Sequence, residues 1–190
     1  MLRYSWNMTQ QEIQEGNQFL ERMLEEVHKT YPTVEAFLID PKKLIFETRT
    51  RMNCFYCGRY NRNWHCPPFL PDIDYPKMFA EYDYGAFVYV KVPLSNSDAR
   101  TESSVINHRS LLLMEKYCYN HNNSTAISFI GGSCKLCKNG CGKERCNNPY
   151  EARCPLEATG CNVVRSAALF GFEITFPPVD YMLRLGLLVW

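Results

Sequence analysis

Gly85-Ala-Phe-Val-Tyr-Val-Lys-Val92 is a run of aromatic, β-branched and small apolar residues, and it reads as a buried strand. Ala126-Ile-Ser-Phe-Ile130 reads the same way and runs straight into Gly131-Gly132 and a dense group of cysteines. Strands that end in cysteine loops set the expectation for the whole chain. It should be a small sheet with metal-binding loops at its strand ends.

Working outward, Thr9-Gln-Gln-Glu12 is a capping box, a hydroxyl at the N-cap with a carboxylate three residues on. Ile13, Phe19, Leu20, Met23, Leu24 and Val27 follow at helical spacing, predicting a helix over 10–29 that ends before Pro32. Val34–Ile39 and Leu44–Thr48 flank Asp40-Pro-Lys-Lys43, a pattern that suits a hairpin. Residues 49–71 read as a loop rich in Cys, Arg and Pro. A short helix is predicted over 75–82. A longer one is predicted over 98–120, with Val105, Ile106, Leu112, Leu113 and Tyr117 inward. A helix over 163–169 and a strand over 185–189 complete the chain. The expectation is an α+β fold: a single domain with a small mixed sheet, flanking helices and two cysteine-rich loops. Residues 1–30 form its N-terminal helix and 31–190 its cysteine-rich metal-binding domain.

The 190 residues suit one domain, and 46% hydrophobic against 22% charged residues excludes a disordered chain. No apolar run nears the ~20 residues of a membrane span, and Met1–Met8 lacks the apolar stretch of a secretory signal. A cytoplasmic protein with no membrane partner is expected. A net charge of +1 gives no nucleic-acid signature. The distribution says more: residues 49–66 hold Arg49, Arg51, Arg59 and Arg62 and no acid, and residues 117–165 are also net basic. Those two stretches hold all ten cysteines. Cations there would stabilise an anionic cluster and raise its potential, or hold an anionic partner.

Ten cysteines in a reducing compartment more often mean metal than disulfides. Cys134-Lys-Leu-Cys137-Lys-Asn-Gly-Cys141-Gly-Lys-Glu-Arg-Cys146 places four thiols within one tight loop, with glycines for the turns. Such a set suits an iron–sulfur cluster or tetrahedral zinc. Its short gaps are closer to a compact ferredoxin-like loop than to two separated zinc knuckles. Cys54-Phe-Tyr-Cys57 and Cys66-Pro67 give a second run with three cysteines. Either a distant residue supplies the fourth ligand or one iron stays open. Cys154, also followed by proline, is the first candidate, ahead of Cys161, Cys118 and His65. Phe55, Tyr56, Tyr60, Trp64 and Phe69 crowd this run and read as a shield around a cluster. No metalloprotease, phosphate-loop, serine-elbow or radical-initiating motif is present.

Three further motifs join the first run, Cys54-x-x-Cys-Gly-x-Tyr-x-x-Asn-Trp-x-Cys-Pro-Pro68: Gly131-Gly-x-Cys-x-Leu-Cys137, Cys146-x-x-Pro149 and Glu157-Ala-x-Gly-x-x-Val163. Together they resemble the predicted metal-binding proteins grouped as domain of unknown function 2284, over roughly residues 30–190. The resemblance implies iron–sulfur binding by Cys54, Cys57, Cys66, Cys134, Cys137, Cys141 and Cys146 in a small cytoplasmic protein of an anaerobe. It does not imply a reaction.

The first functional expectation is an electron carrier or redox accessory with one or two [4Fe–4S] clusters, serving a redox partner protein. The second is an enzyme whose open iron, at the three-cysteine site, takes a small anionic substrate held by Arg59 or Arg62, with Tyr60 or His65 moving protons. The third is a structural zinc module.

Overall fold

The computed structural model describes residues 7–95 and 99–190. Four strands form one sheet in the order β1-β2-β4-β3, where β1 is Val34–Ile39, β2 Gly85–Pro93, β3 Ile127–Phe129 and β4 Tyr181–Val189. Five helices accompany them: α1 (Gln10–His28), α2 (Thr48–Tyr56), α3 (Tyr75–Ala80), α4 (Ala99–Asn120) and α5 (Val163–Leu169). The α+β class holds, and all strand ladders are antiparallel rather than mixed. The parallel pairing among the described residues is an isolated bridge between Ile130 and Pro155.

β2 is buried along nearly its whole length, so both faces of the sheet must be covered. On one face, Ala86, Val88, Val90 and Leu188 meet Leu20, Met23 and Val27 of α1 and Leu111, Met114 and Cys118 of α4. On the other, Phe87, Tyr89, Leu185, Leu187 and Val189 meet Phe79 of α3, Ala167 of α5, Leu156 and Cys161. α1 begins at the predicted capping box, with Thr9 Oγ1 accepting the Glu12 amide at 3.2 Å. Its buried stripe packs into the same core as α4.

Three expectations are corrected. Leu44–Thr48 does not pair with β1. Asp40 caps a 3-10 turn at Pro41–Lys43 by accepting the Lys42 amide at 2.9 Å. That turn directs the chain away, and β1 pairs with β2 instead, from Val34 opposite Val90 to Ile39 opposite Gly85. Residues 48–56 are helix rather than loop, although none of their side chains is buried. Finally, the fully buried residues of α4 are Ser103, Asn107, His108, Ser110, Leu111, Met114 and Cys118, while Ile106, Leu113 and Tyr117 of the expected inward set pack against the same core only partly buried. Small and polar residues fit because α4 crosses the sheet closely at Gly186, and Asn107 Nδ2 donates to the Val88 carbonyl at 2.9 Å. The predicted start of α4 at Asp98 lies outside the described residues.

A Cβ at Gly186 would lie 2.6 Å from the Phe129 carbonyl oxygen and 2.7 Å from Leu111 Cδ1. Gly186→Val should therefore destabilise the protein by roughly 1–3 kcal/mol through overpacking, read as a lower urea midpoint.

Candidate metal centre

The first cysteine run starts on α2, which carries Cys54, and Cys57 caps that helix. α2 buries no apolar stripe that could hold it. It is anchored at its base, where Glu47 N–H donates to the Gly160 carbonyl at 2.9 Å. The Glu47 carboxylate also receives Arg49, Asn162 at 2.8 Å and Arg165, which together hold it well below the usual carboxylate range, at about 2. The chain then turns at Gly58 and Asn61, both at positive φ, before reaching the buried Cys66.

The second run leaves β3 through Gly131 and Gly132. A Cβ at Gly131 would lie 2.3 Å from the Leu185 carbonyl, so only glycine lets the chain pass β4 there. Gly132, at φ +72°, turns the chain into the loop. The two runs are joined directly. Trp64 Nε1 donates to the Gly142 carbonyl at 2.8 Å, and Asn63 Nδ2 to the Cys134 carbonyl at 3.3 Å.

The segment after Cys146 is fixed from α4 and β3. Arg153 donates to Glu115 through Nε at 2.8 Å and through a second guanidinium nitrogen. The Ser128 amide donates to the same carboxylate at 2.7 Å. Ile130 N–H donates to the Cys154 carbonyl at 3.0 Å, and Leu156 N–H returns to the Ile130 carbonyl at 2.9 Å. His108, buried on α4, donates Nε2–H to the Glu151 carbonyl at 2.8 Å.

All ten cysteines are free thiols. The eight predicted ligands fall into separate places. Cys134, Cys137, Cys141 and Cys146 line a cavity of about 620 Å³, with Arg59, Arg62 and Lys138 on its walls. Cys54, Cys57 and Cys66 line a second cavity of about 440 Å³. Arg59, Ser133 and Lys135 line both and form the wall between them. Cys154 lies on a third cavity with His65, Glu115 and Arg153. Cys118 is a core residue, its Sγ 3.5 Å from Met23 Sδ, and Cys161 is buried beside Ser166. Among the described residues, no three Cys, His, Asp or Glu side chains already converge closely enough to hold a single ion.

Burial, then the charges of Cys57, Cys54, Cys154 and Cys141, pushes the Cys66 thiol up to about 12. Burial raises Cys134 as well, and Cys141, Cys137 and Cys146 add to it. These thiols are protonated at neutral pH and become thiolates only against a cation that offsets their mutual repulsion.

The expected aromatic shield differs. Phe55 and Tyr56 are 54% and 77% exposed, and none of the five aromatics lines either cysteine cavity. Trp64 instead packs on Phe69, with centroids 4.7 Å apart, while tying the two loops together. Sequence reasoning also passed over Glu157 and Lys135 as site residues. Glu157 stands on the turn Glu157–Thr159 and lines the three-cysteine cavity. Burial raises its carboxyl above the ordinary range, against opposing bonds from its own amide and that of Gly132 and the charge of Arg184. The signal was its place in the motif Glu157-Ala-x-Gly160. Lys135, lowered by burial and then by Arg184 and Arg59, sits between Cys134 and Cys137, where a lysine reads as one more loop charge.

A family model described as "Predicted metal-binding protein (DUF2284)" matches residues 37–189. No curated protein matches the chain. No solved structure matches it either.

His108 gives this region a pH dependence. Burial lowers its imidazole to about 4, opposed by the bond to Glu151 and assisted by Arg153. The folded protein therefore stays unprotonated where the unfolded chain binds a proton, below the ordinary value of 6.5. Stability present above that pH is lost as pH falls through this window, by about 3 kcal/mol at full extent. Urea midpoints across the window should fall for the wild type and flatten for His108→Gln.

Proposed function

The chain belongs to this family of predicted metal-binding proteins, and from that premise we propose that it is an iron–sulfur protein binding one or two [4Fe–4S] clusters and passing electrons to a partner enzyme. The observation that carries this reading is the division of the cysteines into a set of four and a set of three on two adjoining cavities that share the wall residues Arg59, Ser133 and Lys135. The short gaps within the set of four are closer to a ferredoxin-like loop than to two separated zinc knuckles.

An iron–sulfur core supplies one-electron transfer when bound. The chain's own residues set the conditions. Cys134, Cys137, Cys141 and Cys146 hold one centre, and Cys54, Cys57 and Cys66 the other. Arg59 and Lys135, on the wall shared by both cavities, offset the thiolate charge and favour the reduced state. Two centres either side of one wall suit transfer between them.

The surface beside the three-cysteine run supports a protein partner. Met52, Phe55 and Tyr56 lie at i, i+3 and i+4 on α2 and are more than half exposed. Arg51, Arg59 and Arg62 belong to the same acid-free segment. A partner with an apolar patch ringed by carboxylates complements it. The same cations, Arg59 and Lys135, inside the three-cysteine cavity favour a second reading, an enzyme that binds a small anionic substrate there.

Protein purified without oxygen should contain about eight iron and eight sulfide per chain and bleach reversibly with dithionite. Cys137→Ser should lower iron by about half while the far-ultraviolet dichroism stays unchanged. Stoichiometric zinc without sulfide would overturn the redox reading.

A further inference from the structure

The three-cysteine run needs a fourth donor, and the candidates differ in where the fold puts them. Cys118 and Cys161 are enclosed in the two cores. Cys154 and His65 line a cavity with Glu115 and Arg153, not the one that holds Cys54, Cys57 and Cys66. In that cavity the Cys, His, Asp and Glu side chains on the lining, among the described residues, are the three cysteines and Glu157, and the other side-chain oxygens there, of Thr50, Asn53 and Ser133, are neutral and weaker donors.

We propose that the Glu157 carboxylate is the fourth protein donor of the metal centre held by Cys54, Cys57 and Cys66. The inference rests on the reading that this run binds a metal centre, and it goes further by closing the site.

The Glu157 carboxylate is half-buried and lightly held. It accepts the Gly132 amide at 3.4 Å, a long bond, and its own amide, and the nearby charge of Arg184 acts on it. It takes part in no ion pair among the described residues. A carboxylate so placed on the cavity wall beside three thiols is stabilised by a cation that they share. The backbone holds it rigidly. Leu156 is bonded to Ile130 at the end of β3, and the Gly160 carbonyl accepts from Glu47 at the base of α2. The turn that carries Glu157 is therefore bonded to the helix that carries Cys54. An oxygen donor beside three sulfurs gives one iron a harder and more exchangeable ligand than its neighbours have.

The test is metal and sulfide analysis with electron paramagnetic resonance on full-length protein prepared without oxygen. The variants are Glu157→Gln, Glu157→Cys and Cys154→Ser. Glu157→Gln should lose about one iron per chain and show a three-iron signal on oxidation. Glu157→Cys should restore the four-iron form, and Cys154→Ser should keep it. The Cys134–Cys146 set reports on folding, because its iron should persist in every variant. Full iron in Glu157→Gln without the three-iron signal overturns the assignment. So does loss of that iron in Cys154→Ser, failure of Glu157→Cys to restore it, or a wild type with no metal at this run. Zinc without sulfide in the wild type overturns the iron–sulfur reading alone. Zinc retention against a chelator then decides: faster loss from Glu157→Gln than from Cys154→Ser supports the assignment, and equal loss overturns it.

Discussion

β2 has no polar face. Lysine and proline interrupt it only at its far end, and every residue from Gly85 to Val90 is buried. A strand of this kind demands cover on both sides. α1 and α4 provide it on one side. The other side is covered by α3, α5 and the irregular chain near Leu156 and Cys161. That second requirement shapes the site, because the chain that covers the lower face also carries Cys154 and Glu157.

The cysteine loops hang from this frame at a few firm points. Gly131 slides past the Leu185 carbonyl, Leu156 returns to Ile130, and Glu47 ties α2 to the turn before α5. Arg153 and Glu115 form a partly buried, hydrogen-bonded pair that connects α4 to the segment between the last cysteines. Removing one partner would leave a charge without compensation, which costs more than the pair contributes.

Charge acts in the same direction. The cysteine runs are basic where the rest of the chain is balanced or acidic. Arg59 and Lys135 face both cavities. Once thiolates form, those cations compensate them from the cavity walls rather than from the bulk.

What the sequence determined by itself is local. The capping box starts α1, the apolar run makes β2, and the spacing of 54, 57 and 66 and of 134, 137, 141 and 146 marks two thiol sets. Each depends on residues a few positions apart. Tertiary structure decided the rest. β1 pairs with distant β2 because Asp40 caps a turn that ends the expected hairpin. α2 is a helix without a buried apolar stripe because contacts at its base and with the Glu157–Thr159 turn hold it. α4 turns Asn107 and other small or polar residues inward beside Leu111 and Met114 because Gly186 admits a close crossing. Cys154 and Glu157 lie three residues apart, yet they line different cavities. Spacing counts residues along the chain, whereas a site is set by which backbone bonds aim each side chain, and those bonds join segments far apart in sequence.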